Sequence, residues 1–137
     1  NDTTNRYWHH YASLAGGVAI GATCASANHP TAFLIGILAG TLSTFGFAVI
    51  QPKLEKAFRM IDTCGVTNLH GWPGLMGGLA AIFVVGGINV GSQLTGIGIA
   101  LLMAIIPGYV VGQIILALGR RTKHYEDSVE IIEVNER

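Results

Sequence analysis

The stretch IDTCGVTNLHGWPGLMGG, residues 61–78, sets Asp62, Asn68 and His70 at the head of a long apolar run and follows them with Pro73 and a series of glycines. Polar side chains at that depth of an apolar segment are expensive if the segment faces lipid. An ionised Asp near the centre of a bilayer costs about 3 kcal/mol even on the milder insertion scales, so such groups face protein or a polar path. Asp62, Val66 and His70 are spaced four apart, which on a regular helix puts them on one stripe. Gly71, Gly74, Gly77 and Gly78 thin the turns that follow, and Pro73 removes a backbone donor just past His70, so the backbone there is able to approach a neighbour or bend.

Working outward, this run is one of four without a charged residue: 11–27, 31–50, 63–87 and 92–118. A helix needs roughly 20 residues to cross a hydrocarbon core about 30 Å thick. The second and third runs fit that length, the first is short, and the fourth must tilt or project beyond the lipid. The expected fold class is therefore all-α, a polytopic transmembrane bundle with about four membrane helices. Any single run could equally be a buried core helix of a soluble protein; four in series with charge confined to the joints favour lipid.

The composition agrees. Of 137 residues only 12% are charged and 50% hydrophobic, and the mean hydropathy is +0.50, a balance unusual for a soluble domain. The formal net charge is zero and the basic residues make no broad patch, which argues against nucleic acid as a partner. Cys24 and Cys64 both fall in apolar runs and read as small packing residues rather than as a disulfide framework. No signal peptide is visible, no methionine occurs before Met60, and the chain is expected to be a piece of a longer polypeptide.

Lysine and arginine concentrate in QPKLEKAFRMID (51–62) and GRRTKH (119–124), whereas the connections 28–30 and 88–91 carry none. By the positive-inside tendency, the basic joints and the tail lie in the cytoplasm. Every run holds a G-x-x-x-G pair: Gly17 and Gly21, Gly36 and Gly40, Gly74 and Gly78, Gly108 and Gly112. Removing side chains at that spacing allows close helix contact in lipid, so these eight glycines are expected to pack helices. Beyond Thr122 the composition turns polar and acidic, which divides the chain into a membrane part, 1–122, and a tail, 123–137.

Catalytic chemistry finds no support. A zinc site needs three or four ligands, commonly with two His at i and i+4, and nothing at such spacing accompanies His70. No nucleophile elbow, P-loop or dinucleotide fingerprint occurs, so neither a metal, a cofactor nor an enzyme activity is implied. From spacing alone, His70 reads either as a satisfied core histidine or as a group on a functional path. His9, His10 and His29 fall outside the membrane runs and read as exposed polar residues.

DTCGVTNLHGWPGLMGG (62–78), SLAGGVAIG (13–21), IGILAGTLSTFGF (35–47), PKLEKAFRMIDTCG (52–65) and the tail stretch YEDSV (125–129) together resemble the Rhesus-type branch of the ammonium transporter family. The resemblance covers nearly the whole chain and implies that it matches the C-terminal portion, about a third, of an eleven- or twelve-helix inverted-repeat channel. It further implies a plasma-membrane homotrimer in which each subunit conducts ammonium or ammonia through a narrow apolar pore, with carbon dioxide as a further candidate. Two facing histidines line such pores. His70 matches the second by its N-L-H-G context and the first has no counterpart in this chain. By the same resemblance Val66 lines the path one turn away, Asp62 matches a buried acid near the helix start, and Asn68 and Leu69 are supporting neighbours. The sequence departs from the family pattern at Trp72, where a smaller aliphatic residue is common, and at His9, His10 and Tyr11. The remaining helices of the parent chain and the bilayer would be its partners. The alternative within the family is a non-conducting structural or scaffolding relative, marked by loss of pore histidines.

Overall fold

The computed structural model describes residues 8–59, 62 and 65–119. All regular structure among them is helical: α1 (Trp8–Ile20), α2 (His29–Phe45), a π turn (Gly46–Ile50), α3 (Gln51–Phe58), a second π turn (Thr67–Gly71), α4 (Trp72–Val84) and α5 (Val90–Ala117). The expected all-α class holds. The expected extents do not. Cys64 and the tail 123–137 lie outside the described residues.

The first run forms only a 13-residue helix, about 20 Å long at the helical rise. It stops at Ile20 because Thr23 diverts the chain: the Thr23 hydroxyl donates to the Ile20 carbonyl at 3.2 Å, and the Thr23 amide takes the same acceptor at 2.9 Å. Residues 21–26 then make turns closed by Ser26 N and Ala27 N on the Thr23 carbonyl. Cys24 sits in these turns, exposed and free, which corrects its reading as a packing residue. Asn28 starts the next helix by accepting the Thr31 amide at 3.0 Å with Pro30 in the first turn, an arrangement that satisfies a donor the helix itself cannot. His29 is consequently the first residue of α2 rather than part of a loop, and it is exposed.

The second run is longer than its charge-free stretch. Helical structure continues from His29 to Phe58, 30 residues, or about 45 Å, so QPKLEKAF is the projecting end of a membrane-length helix and not a loop. Arg59, with φ of 52°, ends it in the left-handed region. The 28 residues of α5 make the other helix long and apolar enough to cross a membrane. These two are the only described helices that meet that standard of length and composition, against the four expected. The third run falls short because Asn68, His70 and Pro73 interrupt its apolar character.

Both π turns end directly before an X-Pro pair, Gln51–Pro52 and Trp72–Pro73. A proline inside an α-helix clashes with the carbonyl four residues back and cannot donate to it. Widening the preceding turn relieves that clash, and the amide of the residue before each proline closes the wider ring: Gln51 N to Gly46 O, and Trp72 N to Thr67 O.

The chain divides into two units, 1–99 and 100–137. In the first, α1 packs on α2 and both pack on α4 around a core of small residues, Ala15, Ala19, Ala39 and Ala81 with Ile35. Helices approach closely here because glycines sit at the crossings: Gly36 and Gly40 lie against α1, while Gly16 and Gly77 rather than Gly17 and Gly74 make the other close approaches. A Cβ on Gly16 would lie 3.3 Å from Gly36 Cα, one on Gly40 would lie 3.1 Å from the Ala12 carbonyl, and one on Gly77 would overlap the Ala19 backbone. A Cβ on Gly78 would lie 3.3 Å from the side chain of Ile97, and one on Gly74 would meet Val18 only at ordinary contact distance. Gly17 meets nothing within 4 Å among the described residues, and Gly21 lies beyond the helix end. In the second unit, α5 residues 100–117 are almost all exposed, Gly108 and Gly112 have open space where a side chain would go, and Met103, Ile105, Ile106 and Tyr109 present bare apolar surface.

Candidate functional site

Three side chains, those of Gln51, Glu55 and Asn68, together with the backbone of Asp62, join the end of the long helix to the start of the third run. The Gln51 amide nitrogen donates to Glu55 Oε1 at 2.8 Å and to the Asp62 carbonyl at 3.2 Å. Glu55 Oε1 also accepts the Asp62 amide at 3.2 Å. The other end of the Gln51 carboxamide, Oε1, accepts from Asn68 Nδ2 at 2.8 Å. The direction of this chain of bonds is fixed chemically. A carboxylate and a carbonyl are acceptors only, so the Gln51 nitrogen must face them, its oxygen must face Asn68, and Asn68 must turn its nitrogen outward to meet it.

Asp62 does not share a helical stripe with Val66 and His70, as its spacing suggested. It precedes the helix and caps it: Oδ1 accepts the Val66 amide and Oδ2 the Thr67 amide, both at 2.9 Å. A half-buried carboxylate so placed satisfies two of the unpaired donors at the helix start and lies at the positive end of its dipole. Gly65 makes the entry possible. Its φ of +63° suits glycine, and a Cβ there would strike the ring of Phe47.

Asn68 is buried, 1% exposed. Its Oδ1 lies over Gly46, where a Cβ would overlap it, and has no hydrogen-bond partner among the described residues. Buried amide oxygens are seldom left in this state. The Ser43 hydroxyl and the Trp72 indole nitrogen are also buried, with no partner among the described residues. The two π turns thus meet at one point, Gly46 from the first and Asn68 from the second.

His70 and Val66 are both exposed. They share the face turned away from Asn68, because residues two apart in a helix lie on opposite sides. Val66 and His70 lie on one helical stretch, and Asp62 is the member of the trio that the structure places outside it. A cavity of about 280 Å³ opens beside the interlock, lined by Gln51, Leu54, Glu55, Phe58, Asp62 and Thr67 with Asn68; His70 is not part of it. No group of three or more metal-ligating side chains occurs among the described residues. Sequence reading singled out Asp62, Asn68 and His70 but missed Gln51, Glu55 and Gly46. The available signal was an amide and an acid four apart, Gln51 and Glu55, at the end of an apolar run.

Residues 5–131 match the model of the Ammonium Transporter Family. The chain belongs to that family. Within it, this ammonium-transporter-family chain is 42% identical over 111 residues to the ammonium transporter Rh type A of Bos taurus, an alignment taking in 76% of this chain and 26% of the relative. It is 49% identical over 76 residues to the ammonium transporter Rh type B of Sus scrofa, covering 55% of this chain and 17% of that protein. A solved structure described as "Nitrosomonas europaea Rh50 and mechanism of conduction by Rhesus protein family of channels" matches with a TM-score of 0.79 at 52% identity, over 90% of this chain and 32% of that one. The Rhesus-type resemblance read from the sequence therefore holds. The chain spans about a quarter of the length of the curated Rh type A relative and a third of the solved chain. Membership of a transporter family, together with two long apolar helices, makes it an integral membrane chain.

Proposed function

We propose that this chain is the C-terminal part of an Rh-type channel that conducts ammonium or ammonia, and that His70 with Val66 lines its path. The observation that carries the reading is the second π turn. Asn68 anchors it inward, and the same turn presents the imidazole of His70 on an open face beside an aliphatic neighbour. An apolar passage rejects a bare ammonium ion, which would lose its hydration at great cost, and admits neutral ammonia. An imidazole on such a path is suited to take up or hand on the proton, since one ring nitrogen donates while the other accepts. The full-length protein supplies the remaining helices, including the partner histidine. The likeness to Rh proteins supports a homotrimer in the plasma membrane, a transmembrane domain over 1–122 and a cytoplasmic tail over 123–137. The same path is open to carbon dioxide by its apolar character.

The test is the internal pH response of vesicles holding the full-length protein after an imposed ammonium gradient, with His70→Leu at matched incorporation. Faster response than empty vesicles, altered in rate or charge selectivity by the substitution, bears the reading out. Equal responses from protein-loaded and empty vesicles refute it and favour a non-conducting scaffold.

A further inference from the structure

We propose that Gln51 is a positioning residue for His70, acting through Asn68; the inference rests on the reading of His70 as a path residue. Gln51 never approaches the exposed face that carries His70. It holds the opposite side of the same turn. Its carboxamide bridges three separate segments: Glu55 on its own helix, the carbonyl of Asp62 before the third run, and Nδ2 of Asn68 within the π turn. The acceptors on one side dictate the polarity on the other, so Asn68 has one amide orientation available, with Oδ1 placed against the bare Cα of Gly46.

Rotation of the turn about the helix axis would break the bond to Gln51 and drive the Asn68 carboxamide out of its fit over Gly46. Since Asn68 and His70 lie on opposite sides of one turn, what fixes the rotation of the first fixes that of the second. A π turn needs such an external lock more than an α turn does, because its wider ring is the less favourable one and is rare except where something holds it. Pro73 disfavours the α alternative, and the Gln51 bond selects the rotation.

The experiment uses the full-length protein in vesicles with two readouts: the ammonium-driven pH response, and the 15N resonances of the His70 imidazole in histidine-labelled protein. Gln51→Met keeps the length of the side chain and removes its bonds. It is expected to shift the His70 resonances and to slow the response roughly tenfold, the scale of one net hydrogen bond. Gln93→Met is the control. It loses a similar bond, from Gln93 Nε2 to the Gly78 carbonyl at 2.8 Å in the middle of α4, and should move neither readout. In a His70→Leu background, Gln51→Met should slow the response no further.

Unmoved His70 resonances, or the same slowing with and without His70, would overturn the positioning role. A normal rate for His70→Leu alone refutes the path reading instead, and the imidazole resonances then decide the positioning by themselves. If Gln51→Met does not assemble, Gln51→Asn retains the amide but is one methylene too short to reach Asn68; it should shift the same resonances, and no shift rejects the proposal.

Discussion

The carboxamide oxygen of Asn68 occupies the space that a Cβ on Gly46 would need. Because Asn68 is buried and already committed to Gln51 through its nitrogen, it has nowhere to retreat. Gly46→Ala should therefore destabilise the full-length protein by about 1–3 kcal/mol, the usual cost of forcing an extra methyl group into a packed site. Denaturant unfolding in detergent or lipid checks this. Stability equal to that of the unaltered protein would mean the two π turns do not meet as described.

The register of helix contact makes a second pair of substitutions informative. A Cβ on Gly77 would overlap the backbone of Ala19, which is fully buried, whereas one on Gly74 meets only a Val18 methyl at 3.9 Å. Backbone is unable to move aside as a side chain does. Gly77→Ala is expected to separate α1 from α4 and lower stability clearly, and Gly74→Ala to leave it within about 0.5 kcal/mol, as substitutions clear of packed features do. The reverse order would restore the G-x-x-x-G pair Gly74 and Gly78 as the contact.

What the sequence conveyed, and what it withheld, follows from the range of the interactions. The apolar runs and the polar head of the third were legible because charge and hydropathy act locally and additively along the chain. The helix limits at Ile20 and Phe58 were not: the first depends on Thr23 turning its hydroxyl back on Ile20, and the second on charged residues continuing a helix past the lipid. Glycine spacing announced tight packing without saying which neighbour lies on which glycine. Gly16 and Gly77 serve where Gly17 and Gly74 were expected, a shift of one or three positions that only the crossing geometry sets. The stripe of Asp62, Val66 and His70 failed because regular periodicity was carried across Gly65, whose positive φ breaks it. The π turns left a trace in Pro52 and Pro73, but a proline alone reads equally as a kink or a helix start.

Asp62 holds the start of its helix by accepting two amides, one on each carboxylate oxygen. Asp62→Ala leaves both donors unpaired at the head of the turn that carries His70, and caps of this kind contribute about 0.5–2 kcal/mol. Amide exchange at Val66 and Thr67 should quicken in that variant, with exchange in the body of α4 unchanged. Asp62→Asn retains one acceptor oxygen and should fall between the two. Equal protection of Val66 and Thr67 in all three proteins would remove the cap from the account of the site.

Pro73 bears on the shape of the turn itself. Its ring lies four residues after Leu69, where an α-helical turn would need an N–H that proline lacks and would press the ring on the Leu69 carbonyl. Pro73→Ala supplies the donor and removes the clash, so the turn at 67–71 is free to close at the α spacing. That change would rotate His70 relative to the anchored Asn68, or strip Asn68 from Gly46, and in either case the imidazole leaves its present position. The expected outcome is a protein whose ammonium-driven pH response in vesicles is slowed and whose structure shows the amide gained at position 73 donating to the Leu69 carbonyl. If the variant keeps the bond from Trp72 N to Thr67 O that closes the wide turn at present, then Asn68 with Gln51 suffices to hold it, and the proline is its consequence rather than its cause.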